Sequence, residues 1–164
     1  MEGSKDSDVL LRPAGPGDVA AMAAITAEVF ESASIDAKIE AMFGRGGLAG
    51  WAELKARGIA HDVRDYPGSC FVAEISGRVV GFVTSAIDRA ASRGRIADLA
   101  VAAGCQHLGI GRKLLLRTLD RFRELGLKHA KIETLATNRA GQHLYPSVGF
   151  VEVARQIHYV MSLD

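Results

Sequence analysis

Cysteine is scarce. The chain's 164 residues include two, Cys70 and Cys105, which form neither a disulfide framework nor a metal-ligand spacing. A reducing cytoplasm is therefore the default setting. No cluster of His, Cys and carboxylates suggests a metal. Long apolar runs are missing too. The longest stretch without a charged residue, Leu99–Gly111, has thirteen residues and includes Gln106 and His107. A membrane span takes about 20 apolar residues, so none is expected. The opening MEGSKDSD is polar with no apolar stretch behind it, so no signal peptide is read. Neither sign of charge dominates: 20 Lys and Arg against 19 Asp and Glu leave +1, which speaks against a basic nucleic-acid binder and against an acidic tail. No internal repeat, low-complexity tract or linker divides the chain.

The chain is 48% apolar and 24% charged, a composition that folds. Its length suits one domain with a sizeable core, here residues 8–164 after a frayed, disordered N-terminus over 1–7. Val9–Leu11 reads as a short strand. Asp18 is placed to cap a helix carrying Met22, Ile25 and Val29 on one face. Ile35, Ile39, Met42 and Phe43 suggest a helical turn or two, broken at Gly44, Gly46 and Gly47; Leu48, Trp51 and Leu54 suggest another helix. Cys70–Ile75 and Arg78–Ile87 flank Ser76-Gly77 as a hairpin, and Ile96–Ala102 reads as the next strand. Leu114, Leu115, Leu119 and Phe122 mark the clearest helix, which begins near Gly109–Gly111 and stops at Gly126. A strand over Ala130–Leu135, a helix over Asn138–Leu144 and closing strands at Gly149–Val151 and Gln156–Leu163 complete the order. The fold class is α/β, a mixed sheet with helices on its faces.

Chemistry concentrates at Gln106-His107-Leu108-Gly109-Ile110-Gly111-Arg112-Lys113, where a strand hands over to a helix. Small residues admit a ligand close to the backbone, and the first helical N–H groups lack internal partners. With the helix dipole, that makes an anion site suited to phosphate, or simply a glycine turn that starts a helix. Two nucleotide motifs fail here. Gly104 and Gly109 have the P-loop separation, but Ile110 and Gly111 follow instead of Lys and Ser or Thr. Gly109 and Gly111 match a dinucleotide fingerprint, but Leu114 stands where its third glycine belongs. Residues 106–131 hold seven basic residues against Asp120 and Glu124, a net +5 beside the turn. That charge fits a polyanionic small ligand, or a solvated helix face.

The run from Leu99 to Gly111, with Gln106 followed by Gly109 and Gly111, resembles the acetyl-coenzyme-A motif of GNAT N-acetyltransferases. Glu133-Thr134, Asn138, Leu144-Tyr145 and Gly149-Phe150 resemble that family's later helix and closing strand, and the element order is similar from Val9 to Leu163. The resemblance implies a GNAT-like acyltransferase fold and acetyl-CoA as co-substrate, with no metal. It implies that the backbone of Leu99, Ala100 and Val101 pairs with the pantetheine arm. The N–H groups of His107, Leu108, Gly109, Ile110, Gly111 and Arg112 would hold the pyrophosphate, with Gln106 ordering the turn and Asn138 touching the cofactor across a gap between parallel strands. The implied reaction is direct acetyl transfer, in a ternary complex, to a primary amine of a small molecule or peptide. The alternative is a non-catalytic acyl-CoA-binding or sensor module. Dimers are frequent in this fold, so a homodimer is the implied assembly; no nucleic-acid or membrane partner is implied.

An alkyl ammonium, with a pKa of roughly 10.4, must lose a proton before attack, and a departing thiolate, of thiol pKa about 8.5, benefits from a proton donor. Tyr145 stands at the family's donor position. Glu133 and Asp98 are the candidate bases, directly or through a water. His61 and Asp62 lie where the acceptor pocket would be shaped, and Cys105 has no base beside it. Three residues depart from the family pattern: Ala103 where proline is common, Gly141 where alanine is common, and Pro146 directly after Tyr145. Proline disfavours helical geometry in the residue before it, so Tyr145 is expected to be aimed differently from the family norm.

Overall fold

The hairpin forms as its turn residues require. In the computed structural model, which describes residues 9–163, Ser76 and Gly77 have φ of 50° and 78°. Positive φ at both positions is the type I′ geometry that matches the twist of paired strands. It joins β2 (Phe71–Ile75) to β3 (Arg78–Asp88). β1 (Leu10–Pro13) adds antiparallel to β2, β4 (Arg93–Val101) antiparallel to β3, and β5 (His129–Ile132) parallel to β4. The described residues thus build one five-stranded mixed sheet in the order β1-β2-β3-β4-β5.

Both faces are covered, as the alternation of the strands demands. On one side α4 (Ile110–Glu124) presses Leu114, Leu115, Leu119 and Phe122 against Phe71, Ala73, Val83 and Ile96. It approaches so closely that a side chain at Gly94 would strike the Phe122 ring. On the other side α1 (Val19–Val29) and α3 (Trp51–Asp65) pack Met22, Ile25, Ile59 and Val63 on Val72, Phe82 and Ala100. The short α2 (Ile35–Phe43) precedes α3, and α5 (Arg139–Ser147) follows β5.

A bulge sets up the site. Thr84 pairs with Asp98, but the next residue, Ser85, pairs with Ile96, so Ala97 is an extra residue in β4. Ile96 therefore points to α4, while Asp98 and Ala100, of the same parity, point to α1 and α3.

Three sequence expectations need correction. Asp18 does not cap α1 with its side chain; its carboxylate accepts from Gly15 N–H (2.9 Å) and from Arg12 (2.8 Å), tying β1 to the turn before the helix. β5 ends at Ile132 rather than Leu135. The expected closing strands are absent among the described residues. Positions 151–163 carry no strand and lie exposed, although Val151, Val153, Ile157, Tyr159, Met161 and Leu163 alternate as a strand would. Alternation selects a face, but a strand also needs a hydrogen-bonded neighbour. The N-terminus expected to fray, residues 1–7, lies outside the described residues.

Candidate active site

The parallel pairing of β4 with β5 runs from Arg93–His129 to Ile96–Ile132 and stops. Beyond it, Leu99, Ala100 and Val101 pair with Val83, Phe82 and Gly81 of β3 only, so their other backbone edge is open. That edge leads into the glycine turn. Gln106 Nε2 donates to the Val101 carbonyl (3.1 Å) and holds the turn against the strand end. His107 and Gly109 have φ of 65° and 75°, and α4 starts at Ile110. The first backbone bond of the helix runs from Lys113 N–H to the Gly109 carbonyl (3.0 Å), so the N–H groups of Ile110, Gly111 and Arg112 precede it without helical acceptors. An open strand edge ending at free helical N–H groups fits an extended amide arm followed by a diphosphate. The basic helix contributes less than its count suggests. Arg117 and Arg121 bond Glu124, Arg123 bonds Asp120, and Arg117 also stacks on Phe71 (4.6 Å). Arg112, at the turn itself, donates to Ser147 Oγ (2.9 Å) and so links α4 to α5.

Across the gap stands α5. Asn138 caps it, its Oδ1 accepting from Gly141 N–H (3.2 Å) and its Nδ2 donating to Thr134 Oγ1 (2.9 Å). Gly141 is needed there: an added Cβ would lie 2.9 Å from both Asn138 Nδ2 and the Tyr145 ring. Pro146 does not turn Tyr145 out of the helix, because α5 continues through Ser147 and Pro146 sits in its last turn. Tyr145 packs edge-on to Phe150 (6.2 Å between centroids), and burial pushes its phenol above the usual range.

The two candidate bases differ sharply. Glu133 lies just beyond β5, half exposed, bonded to Lys131 (2.6 Å) and Arg95 (3.0 Å). Those cations, Lys131 first, hold its carboxyl below the usual range. Asp98 is 7% exposed. It takes a bond from Lys55 Nζ (2.7 Å) and one from the Thr84 hydroxyl (3.3 Å). It lines a cavity of about 230 Å³ between α3 and β4, with Lys55, His61, Asp62, Arg95 and Asp36 around it. Burial raises Asp62 above the ordinary carboxylate range, and the Asp98 charge pushes the same way against hydrogen bonds from His61 and Thr84. His61 bridges Asp62 (3.4 Å) and Asp65 (2.9 Å). The thiols stay apart from this chemistry. Both are free; Cys70 is buried beneath the cavity wall, where desolvation pushes its thiol up to about 11, and Cys105 sits in the turn after β4.

Residues 32–150 match the Acetyltransferase (GNAT) family, which is more than half of the chain. The chain belongs to the GNAT acetyltransferase family. This GNAT chain is 29% identical over 108 residues to an N-alpha-acetyltransferase of Sulfurisphaera tokodaii, covering 59% of this chain and 65% of that one. It is 36% identical over 87 residues to an uncharacterised N-acetyltransferase of Methanocaldococcus jannaschii, covering 52% and 54%. The aligned parts thus span between half and two thirds of these relatives. Among solved structures, the ribosomal-protein-alanine N-acetyltransferase of Brucella melitensis is similar with a TM-score of 0.66 at 25% identity, covering 88% of this chain and 86% of that one.

Lys55 and Thr84 escaped the sequence reading of this GNAT site. Lys55 did leave a trace. With Ile59, Asp62 and Val63 it occupies positions i, i+4, i+7 and i+8 of α3, so a charged pair sits in the stripe that should be apolar. Thr84 leaves none, because one threonine in a strand is unremarkable.

Proposed function

We propose that this GNAT chain transfers the acetyl group of acetyl-CoA to a primary amine of a small molecule or peptide, by direct attack in a ternary complex. The observation that carries the reading is the parting of β4 from β5 after Ile96 and Ile132, which opens a strand edge leading to the unpaired N–H groups of α4. In this reading Leu99, Ala100 and Val101 pair their backbone with the pantetheine arm. Gln106 holds the turn, His107, Leu108, Gly109, Ile110, Gly111 and Arg112 grip the diphosphate, and Asn138 closes the other lip. Bound acetyl-CoA supplies an activated thioester carbonyl. The acceptor ammonium, pKa roughly 10.4, must be deprotonated first. Asp98 suits that task better than Glu133, since it lines the cavity while Glu133 lies half exposed beyond β5. Tyr145 keeps its proton through neutral pH because burial disfavours the phenolate, and so can give it to the departing thiolate. The nitrogen–carbon bond forms and the carbon–sulfur bond breaks. Nitrogen gives up two protons: the first to Asp98 and on to solvent before attack, the second as the tetrahedral adduct collapses, replacing the proton that Tyr145 gives to the departing sulfur. One proton is therefore released overall.

Calorimetry with acetyl-CoA, ATP and NAD is expected to detect tight binding of the thioester alone. A panel of amines is then expected to release free thiol. Peptide amino termini head that panel, given the relatives named N-alpha-acetyltransferase and ribosomal-protein-alanine N-acetyltransferase. Binding of ATP or NAD without acetyl-CoA binding would overturn the reading. Acetyl-CoA binding with no thiol released by any amine would support the non-catalytic binding module.

A further inference from the structure

We propose that the exposed segment 151–163 is a docking arm for a second copy of this chain. It adds as a strand to the outer edge of β5 in that copy, whose own arm adds to β5 here, and the reciprocal exchange makes a two-fold dimer. The inference is independent of the transferase reading.

The arm is patterned as a strand. Val151, Val153, Ile157, Tyr159, Met161 and Leu163 fall on one side of an extended chain and are 74–94% exposed. Arg155 is the one break in that row, and it is tied to Glu152 (2.7 Å). A contiguous row of apolar side chains in water marks an interaction surface. The arm also lacks a turn. From Val151 to Leu163 it holds no Gly, Pro, Asn or Asp, the residues that reverse a chain tightly, so it does not close its own sheet as a hairpin. Extended, it spans about 43 Å at 3.3 Å per residue, enough to leave its own body and run along a neighbour's sheet edge. Its root is fixed. Gly149, with φ of 103°, donates to the Pro146 carbonyl (3.1 Å), and Phe150 N–H donates to the Tyr145 carbonyl (3.1 Å). The Phe150 ring packs on Tyr145 and the core. From that root the arm runs into solvent and not along its own β5.

The receiving edge is on the same molecule. β5 is the last strand of the sheet, and its outer row of N–H and C=O groups is unpaired among the described residues. Beside it the core has an unfinished flank: Leu127, Ala130, Ile132, Val148 and Phe150 pack against the main cluster yet stay partly open. An added strand with one apolar face would cover them. The opposite edge fits less well, because β1 includes Pro13, which has no N–H to donate. A strand without an edge and an edge without a strand, carried by one chain, are both satisfied when two copies exchange arms. The exchange is isologous, so it closes at two copies and leaves neither edge open to further growth.

The test is light scattering with amide hydrogen exchange on the full chain. At tens of micromolar the chain is expected to have twice the mass of one copy, with amides of 151–163 and the outward amides of β5 protected. Both protections should fall together as dilution separates the copies. Ile157→Glu alters a side chain that is exposed in the single chain, so circular dichroism should stay native while association weakens by roughly 30-fold or more, the loss of a buried anchor. Met161→Glu should act alike, and Leu48→Glu, at an equally exposed apolar residue outside the arm, should leave the dimer intact. If the arm variants do not fold, the dilution series on the wild type decides alone. A wild type that is monomeric at these concentrations overturns the proposal. So does arm protection that persists in the diluted monomer, which would mean closure on its own sheet. A dimer that survives both arm variants, or one whose β5 amides stay unprotected, overturns it as well.

Discussion

Gly109 holds φ at 75° at the threshold of α4, with nothing within 4 Å of where a Cβ would stand. Space is therefore not the constraint; backbone conformation and the approach of a ligand are. A left-handed L-residue costs roughly 1–2 kcal/mol, which the core can bear, but a glutamate there also sets a negative charge against the proposed diphosphate. Gly109→Glu is expected to abolish acetyl-CoA binding in calorimetry while circular dichroism stays native; wild-type affinity would contradict the anion site. Tyr145 is the second informative residue. Tyr145→Phe keeps the ring contact with Phe150 and removes only the hydroxyl, so kcat should fall by about 10²- to 10⁴-fold with KM little changed. Burial raises the phenol, so the donor form persists as pH rises and is lost only above the ordinary tyrosine value of 10.0. The alkaline limb of the kcat profile should accordingly lie above that value and vanish in Tyr145→Phe.

Among the elements, β4 carries the most consequences. Its start is bare at Gly94 so that α4 can lay Phe122 directly on the sheet. Gly94→Ala should overpack that contact and cost about 1–3 kcal/mol, read as a lower urea midpoint with an unchanged slope. Its middle is bulged at Ala97, which delivers Asp98 to α3, and its end is unpaired toward β5. One strand thus serves the core, the cavity proposed for the acceptor and the edge proposed for the cofactor in succession. α5 shows the same economy. Gly141 is a poorer helix former than alanine by about 1 kcal/mol, yet its missing methyl group is the room in which the Asn138 cap and the Tyr145 ring fit.

For the whole molecule, the carboxylates pull stability in two directions as pH changes. Arg12 holds Asp18 below its ordinary 3.8, and Lys131 with Arg95 holds Glu133 below 4.5. Their contributions are complete above those ordinary values and are lost as pH falls through the lowered ones. Asp62 is raised above 3.8 by burial, so the folded state takes up its proton first and gains stability as pH falls through the raised value. The urea midpoint is expected to rise slightly on mild acidification and to drop below about pH 4, where the lowered carboxylates give way. Asp62→Asn should remove the rise and leave the drop; a profile unchanged by that substitution would refute the account. At this scale, too, the alternating apolar residues at 151–163 are exposed, and β5, the last strand of the sheet, has its outer edge unpaired among the described residues.

Local order in the chain was enough for much of this. The turn at Ser76-Gly77, the stripe of Leu114, Leu115, Leu119 and Phe122, the stop at Gly126 and the glycine turn before α4 each depend on neighbours within a few residues, so they could be read without a fold. The family resemblance lay in the same local runs, Leu99–Gly111 and Glu133–Phe150. What waited for the tertiary structure was every pairing between distant segments: Asp18 with Arg12 rather than with its own helix, Glu133 with Arg95, and Lys55 with Asp98 across 43 residues. A one-residue bulge decides which face a strand side chain meets, and no pattern along the chain fixes where that extra residue falls. The turn that would grip a coenzyme was therefore legible in advance, while the charged wall that would receive its partner existed only once α3 had packed on β4.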